Sequence, residues 1–213
     1  MGLSIECHEV LELLEHPKDQ LYLDTEVVII GNGPAGLALS TFLSGWQPYY
    51  NPCGPHPDEQ LHSRLVENFD RSLLEKDLSW YEEEFAERIP PNIRPQSHLY
   101  DWLVRPDEAN SNPPQTSSNC LKMVYEPEKT VPHVVLGDTA IGGSWNTYDD
   151  EMVTVSLSHW MDLPGFSISD WLGGKPLLSR LPAVVIRKYM RAYVKRMHLN
   201  KHMRPFTKVT HLE

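Results

Sequence analysis

Between Glu26 and Leu43 the chain reads EVVIIGNGPAGLALSTFL, and within it the hydrophobic pattern changes from that of a strand to that of a helix. Val27, Val28, Ile29 and Ile30 form a β-branched run of strand length, and the residues from Pro34 onward favour a helix. Ser44-Gly45 marks the helix stop. The next convincing strand is Pro132 to Leu136. The detour before it, residues 45 to 130, far exceeds the roughly 30 residues of a whole βαβ unit. Within that detour Asp58 to Asn68 and Leu73 to Arg88 read as helices that turn Leu61, Leu65, Leu78, Tyr81 and Phe85 inward, and Pro90-Pro91 stops the second. His98 to Val104 predicts one or two further helical turns, and Arg105 to Asn119 has the composition of a loop. Residues 46 to 60 are too broken by proline for a buried parallel strand. Val153, Val155 and Leu157 alternate with Thr154, Ser156 and Ser158, which predicts a half-buried strand ended by Pro164-Gly165. Pro182 then opens a helix with Ile186, Tyr189, Met190, Tyr193, Val194 and Met197 on its apolar face. Phe206 to Glu213 alternates weakly, as a strand would. Cys7 to Glu15 suits a short amphipathic helix in a leader of residues 1–20, and equally a leader that is only partly ordered.

These elements predict an α/β chain. Residues 21–213 would form a partial Rossmann-like dinucleotide-binding domain, with a long helical insertion at about 45–130 and a sheet incomplete toward the C-terminus. Val134 should lie beside Val28 in parallel pairing. The chemistry sits where strand turns into helix, at G-x-G-x-x-G: Gly31, Gly33 and Gly36. Gly31 permits the tight turn, Gly33 lets a pyrophosphate approach the backbone, and Gly36 lets helix and strand pack closely. Pro34 pre-sets φ for the first helical turn, whose free N–H groups favour an anion. A ribose carboxylate is expected about 20 residues on. Asp58 and Glu59 stand at that distance but read as a helix start, which leaves Asp138, just after the second strand, as the best ribose ligand.

Charge narrows the partners. With a net charge of -10 and a pI near 5.4, the chain is a poor match for nucleic acid. Arg187, Lys188, Arg191, Lys195 and Arg196 form a basic helix face that could guide anionic NADPH or an acidic partner, although such a run more often reads as a solvated face with cations near the helix C-terminus. Cys7, Cys53 and Cys120 are widely spaced and lack a C-x-x-C pattern, which suits an intracellular, cytoplasmic setting and no zinc site. The ten histidines include no H-E-x-x-H, and His198 and His202, though four apart, straddle a helix stop. Cys53 and His56 read as a turn rather than a thiol–imidazole pair. No run reaches membrane-span length, the N-terminus lacks a signal-peptide pattern, and Glu6 stands where myristoylation needs Ser or Thr.

Three blocks carry a resemblance: VVIIGNGPAGLALSTFLSGWQPYY, VPHVVLGDTAIGGSW, and MVTVSLSHWMDLPGF with DWL following. They resemble the N-terminal half of the oxidative-stress-induced growth inhibitor family, animal proteins distantly similar to flavin-containing monooxygenases. The resemblance runs from about Glu26 to the last residue and is loose between Pro57 and Thr130. It implies an FAD site. Gly31 to Gly36, with Pro34 and Ala35, would hold the pyrophosphate. Asp138 would stand near the ribose, Gly142, Gly143, Ser144 and Trp145 would line the flavin side, and Val209 would lie near the adenine. Trp145 and Trp160 could flank the flavin ring, although aromatics at such positions more often belong to the core. Flavin monooxygenases place a Glu at the end of the second strand, where this chain has Gly137 and Asp138. Their threonine–asparagine pair falls around Ser156 and Leu157, so the Asn that assists oxygenation has no counterpart. NADPH would need a second G-x-G-x-x-G in a C-terminal half.

Three readings follow: a flavoprotein oxidoreductase of monooxygenase type lacking its NADPH half, a regulatory or interaction protein that keeps the fold without turnover, and an NAD-binding module. GGSW after the second strand favours flavin over NAD. No catalytic residue is identified.

Overall fold

The computed structural model describes residues 25–106, 119–174 and 178–211. The expected leader helix, and all but the ends of the 105–119 loop, lie outside them. Strand β1 (Val27–Ile30) leads through the glycine turn into helix α1 (Pro34–Leu43). Strand β2 (Trp46–Tyr50), helices α2 (Glu59–Val66), α3 (Ser79–Phe85) and α4 (Pro95–Val104), and strand β3 (Leu121–Tyr125) follow. Strand β4 (His133–Leu136), the short helix α5 (Ile168–Trp171), helix α6 (Ala183–Arg196) and strand β5 (Met203–Arg204) complete the order.

The main sheet is parallel in the order β1-β4-β5, and Val28 pairs with Val134, as the sequence predicts. Its core face carries Ile29 and Val135 against Leu37 of α1 and Ile186, Met190 and Val194 of α6. The predicted apolar face of α6, from Ile186 to Met197, is fully buried. Two buried side-chain bonds fasten α1 from both sides: Ser40 Oγ to His133 Nε2 and Thr41 Oγ1 to the Tyr193 hydroxyl, each 2.8 Å. On the opposite face of β1, Val28 and Ile30 are 52% and 55% exposed.

The insertion has its own core. Leu61, Leu65, Tyr81 and Phe85 are buried there as expected, with Leu99, Leu103 and Tyr50, and Leu78 packs against them half-buried. Asp58 proves to be a helix start, since its carboxylate accepts the Leu61 N–H at 2.9 Å. The helix expected over Leu73 to Arg88 is broken at residues 76–78, where Ser72 caps a single 3₁₀ turn and Ser79 begins α3.

Three expectations need correction. The insertion is not purely helical: β2 pairs antiparallel with β3 despite Pro48. Bonds from Glu126 N–H to Gly45 O and from Asn51 N–H to Cys120 O set the phase of this ribbon. They place Pro48 at a position that owes its partner no N–H. The predicted strand at Val153 to Leu157 does not form. Only Val153 makes a bridge, to Pro182, and Val155 is 87% exposed. Thr154 turns inward instead, its hydroxyl donating to Ser156 O at 2.7 Å and accepting the Leu181 N–H at 3.1 Å. Side-chain bonding of this kind offers the backbone an alternative to a ladder. Finally, the last strand is Met203–Arg204 rather than a run from Phe206 onward. Phe206 is left-handed, at φ 57°, and that ends the extended run.

Candidate functional site

The two glycine-rich turns meet at the carboxyl ends of β1 and β4. Gly31 stands at φ 112°, and its N–H donates to Leu136 O at 2.7 Å, which aligns the first turn on the neighbouring strand. A Cβ at Gly36 would lie 1.9 Å from Gly31 O, so only glycine lets α1 start this close to β1. Gly33 is the N-cap of α1, and no side chain caps this helix end. Pro34 occupies the first turn, which contains no acidic residue. The N–H groups of Ala35 and Gly36 therefore belong to a helix end open to an anion.

Asn32 joins the two turns. Only 2% exposed, it donates from Nδ2 to Thr139 O at 2.9 Å and Ala140 O at 3.1 Å. It also accepts the Gly143 N–H on Oδ1 at 3.2 Å, while its carbonyl accepts the Gly142 N–H at 3.0 Å. A Cβ at Gly137 would fall 2.2 Å from the Asn32 amide, and one at Gly143 would fall 3.0 Å from Gly33 Cα. The close fit of Gly33 on Gly143 and of Asn32 on Gly137 holds the second turn against the first.

Other side chains shape the second turn from outside. Asn146 Nδ2 donates to Ala140 O, Ile141 O and Gly143 O at 2.9, 3.3 and 3.0 Å. Arg187 of α6 donates to Trp145 O at 3.0 Å and Tyr148 O at 3.3 Å, and pairs with Asp150. Part of the basic face of α6 thus binds the turn, whereas Lys188 and Arg191 are exposed. From the β5 side, the N–H groups of Phe206 and Thr207 donate to Thr139 O and Gly137 O.

The structure gathers Gly31, Gly33, Pro34, Ala35, Gly36, Gly142 and Gly143 at one place. Ser144 and Trp145 follow in a 3₁₀ turn, with Ser144 exposed and Trp145 packed on the main core edge-on to Tyr148. Asp138 is exposed beside Gly137, the residue after β4. Val209 is half-buried in irregular chain two residues past the Thr207 bond. Trp160 goes elsewhere, with the Arg105 guanidinium 4.3 Å from its ring centroid. Asn32, Gly137, Asn146 and Arg187 were not legible as site residues. Asn32 occupies a variable position of the motif, Asn146 closes a local turn that no periodicity marks, and Gly137 and Arg187 act through contacts distant in sequence.

These residues suit a dinucleotide in one half and differ in the other. An uncapped helix end next to a side-chain-free Gly33 suits a pyrophosphate. At the end of β4, where a ribose carboxylate would project, Asn32 fills the space that any side chain at Gly137 would need.

Among the described residues, no three His, Cys, Asp or Glu side chains stand close enough to hold a metal ion, and no helix is long and apolar enough to cross a membrane. No family model and no solved structure matches the chain. Curated relatives do. An oxidative stress induced growth inhibitor homolog of Caenorhabditis elegans is 49% identical over 179 residues, 84% of this chain and 38% of its own length. Human oxidative stress-induced growth inhibitor 2 is 36% identical over 187 residues, 86% of this chain and 36% of its own. Mouse oxidative stress-induced growth inhibitor 1 is 37% identical over 171 residues, 79% and 34% respectively. The chain therefore spans little more than a third of these relatives' length. Over the residues so aligned, it belongs to the oxidative stress-induced growth inhibitor family.

Proposed function

We propose that the junction of β1, α1 and β4 binds FAD, in a flavoprotein of monooxygenase-like ancestry with a growth- and stress-regulatory role. One observation carries the reading: two glycine turns closed on each other by Asn32 at the carboxyl ends of adjacent parallel strands. Ligands of open α/β sheets bind at such ends. Gly33, Ala35 and Gly36 would receive the pyrophosphate, Asp138 the ribose, Gly142 to Trp145 the flavin side, and Val209 the adenine. The flavin itself would supply the redox chemistry, with NADPH as a reductant only where a longer protein adds a second nucleotide site. The relatives' names support the regulatory role.

A second reading is a regulatory protein that keeps the nucleotide fold without turnover. It is favoured by Gly137 and Asn32 standing where a strand-end carboxylate would be, and by the absence of any assigned catalytic residue. FAD binding with no flavin reduction by NADPH in a full-length relative would select this reading.

The direct test is FAD titration of wild type, Gly33→Ala and Gly33→Val. An alanine Cβ would lie 3.9 Å from Gly142 O and Gly143 Cα, an ordinary contact, so that variant should fold. It would still intrude on the pyrophosphate path, and loss of one charge-assisted bond predicts roughly tenfold or greater weakening. Valine should weaken binding further. Flavin fluorescence and absorbance report the binding; if wild type produces no change at micromolar FAD, the flavin reading is wrong.

A further inference from the structure

A cleft of about 660 Å³ lies between the insertion and the main core, walled by the end of α4, the β2–β3 ribbon and the loop from Ser158 to Asp170. That volume falls in the range of small-molecule sites. The cleft is separate from the glycine turns. Trp46 on its wall follows the C-terminal end of α1, the turns meet the N-terminal end, and the ten residues of α1 span about 15 Å.

Its walls are braced. Arg105 pairs with Asp101 and stacks on Trp160, which fixes α4 to the far loop. Trp46 Nε1–H donates to Met197 O at 3.1 Å, fixing the ribbon to the end of α6. Asp162 lines the cavity, and its Oδ1 accepts the Ile168 N–H at 2.7 Å. Burial pushes its carboxyl up to about 6, with Asp170 adding to the rise and the Ile168 N–H, His159 and Arg105 opposing it. The Tyr189 hydroxyl also stands nearby, accepting the Leu163 N–H.

The charges in this cleft point to a cationic ligand. Arg105 pairs with Asp101 and, with His159, also attracts Asp162, and the exposed Arg196 is held over the Phe166 ring at 5.8 Å. Asp170 is engaged as the cap partner of α5, accepting the Ser167 N–H at 3.0 Å and the Ser167 hydroxyl at 2.7 Å, and it repels Asp162, which lines the cleft. A cation that brings its own apolar body would relieve the repulsion, and the Trp46 ring in the same wall offers an aromatic surface to receive it. We propose that this cleft binds an organic ammonium ligand carried on an aromatic or apolar body, with Asp162 as its counter-ion.

The test uses 2-phenylethylammonium as probe and 2-phenylethanol as its uncharged counterpart, titrated into the full chain at pH 7.5. Tryptophan fluorescence reports the cleft, since Trp46 and Trp160 both line it, and calorimetry reports stoichiometry. The amine should saturate one site and bind at least roughly tenfold more tightly than the alcohol. Acidification through pH 6 should weaken the amine and leave the alcohol unchanged. Asp162→Asn keeps an acceptor for the Ile168 N–H, so it should retain the fold while losing the preference for amine. Gly33→Ala should bind the probe as wild type does, so failure of the flavin reading leaves this one standing. No saturation by about 10 mM amine (a Kd in that range being at most a weak contact), equal affinity for the alcohol, or undiminished affinity in Asp162→Asn would each overturn the proposal. If that variant does not fold, the amine–alcohol comparison and its pH dependence in wild type still decide.

Discussion

Asn32 shows how one side chain can set the residue type allowed at a distant position. Its amide makes three bonds to the second turn and occupies the volume above Gly137. Asn32→Ala removes those bonds and leaves the half-buried Gly143 N–H without this acceptor. At about 1–3 kcal/mol for a buried polar group left unsatisfied, the chain should lose about 2–3 kcal/mol in urea denaturation, and FAD affinity should fall with it. Gly137→Ala alone should be at least as damaging, because its Cβ would stand 2.2 Å from the Asn32 side chain. In the Asn32→Ala background the same substitution should cost far less. A double-mutant cycle with strongly non-additive energies is therefore expected, and additive costs would refute the contact.

At the scale of elements, β5 is short, and part of its anchorage is a pair of buried histidines. The rings of His133 in β4 and His202 just before β5 stack at 3.8 Å, and His202 Nδ1–H donates to His133 O at 3.0 Å. Burial lowers the pKa of both, that of His202 to about 4, helped by Lys201 and Arg204. The fold thus favours neutral His202, and the unfolded chain takes up its proton near the ordinary value of about 6.5. Its contribution, at most about 3 kcal/mol, is complete above pH 6.5 and is lost as pH falls toward 4. Asp162 has the opposite sign. Its folded pKa of about 6 exceeds the unfolded value, so the fold gains stability as pH falls from 6 toward 4. The two effects offset each other across one window. Melting temperatures measured from pH 7 to pH 4 should decline more steeply in Asp162→Asn than in wild type and less steeply in His202→Phe. Identical slopes in all three would contradict the assignment.

At the largest scale, the insertion and the parallel sheet have separate cores, and among the described residues one face of β1 carries the exposed Val28 and Ile30. Exposed apolar side chains on an edge strand favour self-association. Val28→Lys with Ile30→Thr should shift gel-filtration profiles toward smaller species without lowering the melting temperature by more than a few degrees; an unchanged profile would show that this face is not adhesive. The sequence by itself determined the parallel β1–β4 pairing, the glycine turn into α1, the buried faces of α2, α3 and α6, and the Asp58 cap. Each is written in local periodicity or in the steric needs of glycine and proline. Only the tertiary structure decided that Pro48 sits in a strand, that Thr154 rather than Val153 and Val155 turns inward, and that Phe206 ends rather than begins an extended run. It alone brought Asn32 over Gly137, Arg187 onto the Trp145 carbonyl and Asp162 into a cleft with Trp46. Those arrangements depend on bonds and volumes shared between residues far apart in the chain, and local pattern carries no record of them.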